Sequence, residues 1–178
     1  QLGISIPNFW IATVLILIVA ARLRWLPPSG YVPLGEDLGA NLIHIIMPAL
    51  SLALPLAAVM TRVVRSAVLE VLHQDYMRVA HAKGLVPRQV LWRHGLKNAA
   101  IPILTVIGLE LGYLLGGTVL IEEMFFVPGL GQLTVRALLN RDLPVLQGVL
   151  LLYSAAFILV NLVVDVLYGQ LDPRIRFE

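Results

Sequence analysis

Apolar residues in this chain do not alternate with polar ones; they gather in long blocks. Residues 1–21 hold no Asp, Glu, Lys or Arg, and Arg22 and Arg24 close the block. A second block, 38–61, ends at Arg62 and Arg65. A third, 99–121, is interrupted only by Glu110 and stops at Glu122 and Glu123, and a fourth, 143–164, stops at Asp165. Crossing about 30 Å of hydrocarbon takes roughly 20 apolar residues in a helix, and each block has that reach. The pattern predicts four membrane-spanning helices, near 4–22, 40–63, 99–121 and 144–168, in one all-α membrane domain over residues 1–178. Buried helices of a large soluble core would also give such blocks, but four in so short a chain argue against it.

Composition strengthens that reading. The 178 residues are 58% hydrophobic and 13% charged, with a mean hydropathy of +0.85, whereas a soluble domain carries about 25% charged residues. A chain this poor in charge cannot cover itself against water. No cysteine is present, which excludes a disulfide framework and a thiolate metal site; no metal site is expected. The first block has no initiator Met, basic n-region or small-residue cleavage site, so it does not read as a signal peptide. The sequence is expected to begin partway through a longer protein.

The net charge of +2 is too small to suggest a nucleic-acid partner, but the placement of the charges is informative. Of the thirteen basic residues, nine lie on one side: Arg62, Arg65, Arg78, Lys83, Arg88, Arg93 and Lys97 between spans two and three, and Arg174 and Arg176 after span four. The other side has Arg22, Arg24, Arg136 and Arg141, offset by Glu36, Asp37, Glu122, Glu123 and Asp142. Basic residues are retained in the cytoplasm. The 62–97 connector and the C-terminus are therefore expected to face it, with Trp25 and Tyr31 at the opposite interface.

The spans carry features a plain anchor does not need. Pro48 and Pro55 interrupt the backbone hydrogen bonding of span two. Gly108, Gly112 and Gly116 form a small-xxx-small stripe on span three, suited to close helix packing. Glu110, near mid-depth, is expected to line a path or meet a partner subunit; a protonated, merely tolerated carboxyl is the alternative. Asn41, His44 and Asn161 are weaker signals, and Asp165 falls at the water boundary.

The cytoplasmic connector 66–97 carries the most information. Leu69, Leu72, Tyr76, Val79 and Ala80 fall at helical spacing. Lys83 and Gly84 make a helix stop with a residue free to take positive φ, and Pro87 can open a second helix, 87–95. The reading is helix, tight turn, helix: a stiff lever between spans two and three. An amphipathic hairpin resting on anionic lipid would share the same periodicity.

The run DYMRVAHAKGLVPRQVLWRHGLKNAAIPIL at 75–104 resembles the cytoplasmic EAA-type motif of ABC-importer permeases, in the dipeptide, oligopeptide and nickel branch. Three further stretches are similar to that branch, in the same order: IPNFWIATVLILIVAARLRWLPPSGY at 6–31, VLIEEMFFVPGLGQLTVRALLNRDLPVLQG at 119–148, and YGQLDPRIRF at 168–177. Arg78-Val79-Ala80 stands where the general motif has Glu-Ala-Ala. Only Ala80 and Gly84 match it, Asp75 is the nearest acid, and Pro102 lies farther from the glycine than the motif's proline.

The resemblance implies a MetI-like, type I importer helical bundle with six spans, of which this chain would be the last four. It implies two permease subunits around the path, here with a paralogue as the second. Two cytoplasmic ATPase subunits would carry ATP and Mg, and an extracytoplasmic binding protein would deliver the solute to this inner-membrane complex. This chain would hold no cofactor. Carried over residue by residue, the ATPase-docking positions are Asp75, Ala80, Lys83, Gly84, Leu85 and Pro87. In the outer connector, Phe125 and Phe126 precede the turn cluster Pro128-Gly129-Leu130-Gly131. The resemblance implies that this segment shapes the external gate and meets the binding protein. Two bulky rings beside a rigid turn add the expectation that Phe125, Phe126 and Pro128 plug the path at rest. A short loop resting on the bundle is the plainer alternative.

Rival functions fare worse. The chain lacks Gly-x-x-x-x-Gly-Lys-Ser/Thr, His-Glu-x-x-His and Gly-x-Ser-x-Gly, so neither ATP hydrolysis nor intramembrane proteolysis is expected of it. A secondary transporter or channel would explain Glu110 but leave the basic connector without a purpose. Short peptides are the expected cargo and nickel complexes the alternative.

Overall fold

The computed structural model describes residues 6–82, 84, 86 and 89–171. Within that range, the side chains at 78, 80–82, 93, 94, 97 and 171 lie outside the description. Every regular element among the described residues is helical. In chain order these are α1 (Asn8–Leu15), continuing as a π-helical stretch (Ile16–Arg22), α2 (Leu38–Leu72), α3 (Asp75–Ala82), a second π-helical stretch (Val90–Gly95), α4 (Leu96–Phe125), α5 (Leu130–Leu139) and α6 (Leu143–Leu171). Three helices are long and apolar enough to cross a membrane: Leu38–Leu72, Asn98–Phe125 and Leu143–Gln170. The first expected span corresponds to the shorter apolar helix Asn8–Arg22.

Acids and left-handed residues punctuate the elements. Asp37 caps α2, its Oδ1 accepting the N–H groups of Gly39 at 2.8 Å and Ala40 at 3.0 Å, which satisfies donors that have no partner in the first turn. Asp142 does the same for α6, accepting from Val145 at 3.2 Å, and Pro144 sits in that first turn, where its missing N–H is harmless. Helix α4 ends with Phe126 at φ 54°. The N–H groups of Val127 and Phe126 turn back to the carbonyls of Glu122 and Glu123, the paired closure of a Schellman motif. Helix α5 closes alike, with Arg141 at φ 54° and Asp142 donating to the carbonyl of Ala137 at 2.8 Å.

Two element boundaries differ from the sequence expectation. The helix that carries span two does not stop with the apolar block: α2 is 35 residues long in all, roughly 50 Å at 1.5 Å per residue, because 62–72 contains neither Pro nor Gly. It runs through Pro48 and Pro55, and the buried Ser51 hydroxyl donates back to the Met47 carbonyl at 2.8 Å. The single stripe expected from Leu69 to Ala80 is therefore divided between α2 and α3. Helix α2 tightens at its end, where His73 and Gln74 donate to the carbonyls of Glu70 and Val71, and Asp75 opens the next helix. The second connector helix is not a separate element either, since Val90–Gly95 passes directly into α4.

The chain divides into two compact units. The first comprises Gln1–Ala58 and Tyr113–Phe157. Its core joins Ala12, Ala20, Met47, Ile121 and Phe125, all buried, with Leu52, Met124 and Val127 packed around them. The loop between α1 and α2 is tied to this unit from two sides: Gly30 donates to the Phe125 carbonyl at 2.8 Å, and the buried Asn41 side chain donates to the Val32 carbonyl. The second unit comprises Val59–Gly112 and Ile158–Glu178, with Ala67, Met77, Val90, Ala99 and Val164 buried. Within the three long helices, at most 17% of the most apolar window is buried. Their remaining apolar surface must meet lipid or another subunit, since water would leave it unfavourably exposed.

Candidate functional site

The described residues of the 66–97 connector belong to the second unit. Asp75 is the first residue of α3, where a carboxylate suits the positive end of a short helix. Ala80 lies on the same helix. Gly84 follows at φ +80°, with nothing within 4 Å of the position a Cβ would occupy. The glycine is therefore demanded by backbone conformation and not by crowding. Lys83, Leu85 and Pro87 lie outside the described residues.

Two contacts tie α3 to the start of α4. Met77 is fully buried, and its Cε would stand 3.6 Å from a Cβ on Gly95, with Val90 buried alongside. The Asn98 side chain donates to the Tyr76 hydroxyl at 3.1 Å. Farther along the same unit, Tyr168 of α6 donates to the Thr105 hydroxyl at 2.6 Å. Sequence reasoning misses these polar links, because residues 22 and 63 positions apart give no periodic signal.

Of the glycine stripe, Gly108 shows a close approach: a Cβ there would stand 3.0 Å from Val164 Cγ2. Gly112 is half-buried, and Gly116 has nothing within 4 Å. Glu110 is half-buried two residues after Gly108, and its carboxyl group makes no hydrogen bond to another described residue. An unsatisfied carboxyl at span depth is costly unless it faces a polar path or a partner.

The outer connector belongs to the first unit, and its two adjacent rings part company. Phe125 is 1% exposed within the core, whereas Phe126 is 61% exposed on a left-handed backbone. Pro128 is exposed in the turn that follows. Beneath the turn, Glu122 of α4 accepts the Gln132 N–H of α5 at 3.0 Å. Gly131 lies so close to α4 that an added Cβ would stand 2.5 Å from Val119 Cα. In the sequence Glu122 reads only as a charge; an acid ahead of a Gly-x-Gly at a helix start is the available hint.

Residues 1–177 match the family described as the inner membrane component of binding-protein-dependent transport systems. The chain belongs to that family. It is 47% identical over 176 residues to a probable peptide ABC transporter permease of Sinorhizobium fredii, covering 99% of this chain and 56% of the relative. A putative peptide transport system permease of Brucella abortus is 43% identical over 177 residues, covering 99% and 56%. A glutathione transport system permease of Escherichia coli is 45% identical over 176 residues, covering 99% and 55%. The chain thus spans about half the length of the curated relatives it matches. The helical elements of its described residues accord with the MetI-like type of that family.

Proposed function

We propose that this permease chain forms part of the translocation path of an ATP-driven, binding-protein-dependent importer whose cargo is short peptides. The observation that carries the reading is the connector: a short helix opened by Asp75, ended by a left-handed glycine and bonded through Tyr76 and Met77 to the root of α4. A unit held in this way is built to move as one body, so that a displacement imposed on α3 would reach a membrane-length helix and not be absorbed by a loop. Relatives named for peptide and glutathione transport support a peptide cargo.

In this reading 66–97 and the C-terminus face the cytoplasm. Two ATPase subunits, carrying ATP and Mg, grip Asp75, Ala80, Lys83, Gly84, Leu85 and Pro87. A paralogous permease covers the apolar faces of the long helices, and a binding protein delivers cargo outside. Glu110 lines the path. Phe126 and Pro128 form the outer gate, anchored by Phe125 in the core beneath.

The test is reconstitution of the full complex with its ATPase and binding protein. Uptake should stop on ATP depletion with the ion gradient intact; uptake that persists would identify a gradient-driven carrier. Gly84→Val places a branched side chain at φ +80°, costing about 1–2 kcal/mol. The variant permease should insert normally yet fail to retain or couple the ATPase. Replacing Phe126 with Ala should raise ATP turnover without cargo, and unchanged turnover would remove the gate assignment.

A further inference from the structure

We propose that Glu122 is the positioning residue that seats α5 on α4, and that this seat ties the outer connector's movement to transport. The proposal rests on the importer reading above for the connector's role, while the seat itself stands on geometry within one compact unit.

Helix α5 begins at Gly129, an extended residue with no side chain able to cap the helix. The acceptor its first turn lacks comes from another helix: Glu122 Oε2 takes the N–H of Gln132, the third helical residue, at 3.0 Å. That is the bond an Asp or Ser at the cap would make, strengthened by the carboxylate's charge at the positive helix end.

The two glycines of the turn are shaped around this carboxylate. A Cβ on Gly129 would overlap it, and one on Gly131 would stand 2.9 Å from Oε2 and 2.5 Å from Val119 Cα. Helix α6 closes the third side with the phenol of Tyr153. Its oxygen is sealed from solvent and closes no hydrogen bond of good geometry, and its polar neighbours are Glu122, Thr118 and Thr134. Gln132, whose backbone makes the bond, is itself buried. One acid thus joins two helices beside the phenol of a third, and a turn of glycine and proline has no other polar anchor of this kind among the described residues.

The chain contains no cysteine, so Gln132→Cys can report the seat. In the assembled complex the thiol introduced at position 132 should resist a membrane-permeant maleimide. Adding Glu122→Ala should abolish that protection, and Glu122→Gln, whose amide oxygen can still accept the N–H, should largely restore it. On the native Gln132 background, Glu122→Ala should make ATP hydrolysis severalfold less dependent on cargo-loaded binding protein, with Glu122→Gln close to the parent. If Glu122→Ala does not assemble, Gly129→Ala, which displaces the carboxylate without removing it, is read the same way. Unchanged protection overturns the seat, and lost protection with normal coupling overturns its role in transport. A parent complex with no ATP-driven uptake defeats the importer reading instead, and the labelling contrast still decides the seat.

Discussion

Glycines on these helices look equivalent in the sequence and are not equivalent in space. Gly131 approaches the α4 backbone, Gly108 meets Val164, and Gly116 faces nothing within 4 Å. Gly131→Ala should therefore destabilise the first unit by about 1–3 kcal/mol, because the obstacle is a backbone atom that cannot rotate away. Gly116→Ala should be neutral or stabilising by about 0.5–1 kcal/mol, since alanine is the better helix residue and nothing opposes its methyl. Thermal unfolding of the two purified variants in detergent would rank them, and equal midpoints would contradict the packing described. The small-xxx-small spacing is legible in the sequence. Which member of it touches another helix depends on where α6 lies, and no local pattern encodes that.

At the scale of elements, the coupling role proposed for the connector depends on its contacts with α4. Tyr76→Phe keeps the ring and removes the oxygen that accepts from Asn98 at 3.1 Å. Its exposed setting limits the stability cost to about 1 kcal/mol or less. The expected result is an intact complex in which uptake per ATP falls while ATPase binding does not; a matched loss of both would point to docking and not to transmission. The helix stop at Gly84 is readable because its signal is local: a glycine after a helix carrying a cation near its end. The length of α2 and the merging of the second connector helix into α4 are not readable in that way. Charged residues end a membrane crossing, but they do not end a helix, and here the backbone runs on past Arg62 and Arg65 until a turn intervenes.

For the whole molecule the open test is orientation. His73, in the turn before α3, and Asn140, at the end of α5, are both exposed, so His73→Cys and Asn140→Cys, made singly, place one reporter thiol on each connector. In intact cells an impermeant maleimide should label the Asn140→Cys variant, and the His73→Cys variant only after permeabilisation. The reverse pattern would overturn the cytoplasmic placement of the connector and the coupling role with it. The prediction follows from the distribution of arginine and lysine, a property of the chain's linear order that any folded form must respect.

The sequence alone determined the class of protein, the apolar helices and the family, because each is carried by contiguous residues: blocks long enough to cross hydrocarbon, charges that bracket them, and motifs in order. Tertiary structure alone decided which of those residues meet. It buried Phe125 while exposing Phe126, joined Tyr76 to Asn98, and turned Glu122 from a surface charge into the cap of another helix. These are contacts between helices, fixed by how side chains and glycine gaps interlock once the helices pack. A helix's own periodicity specifies a face but not the neighbour that will cover it.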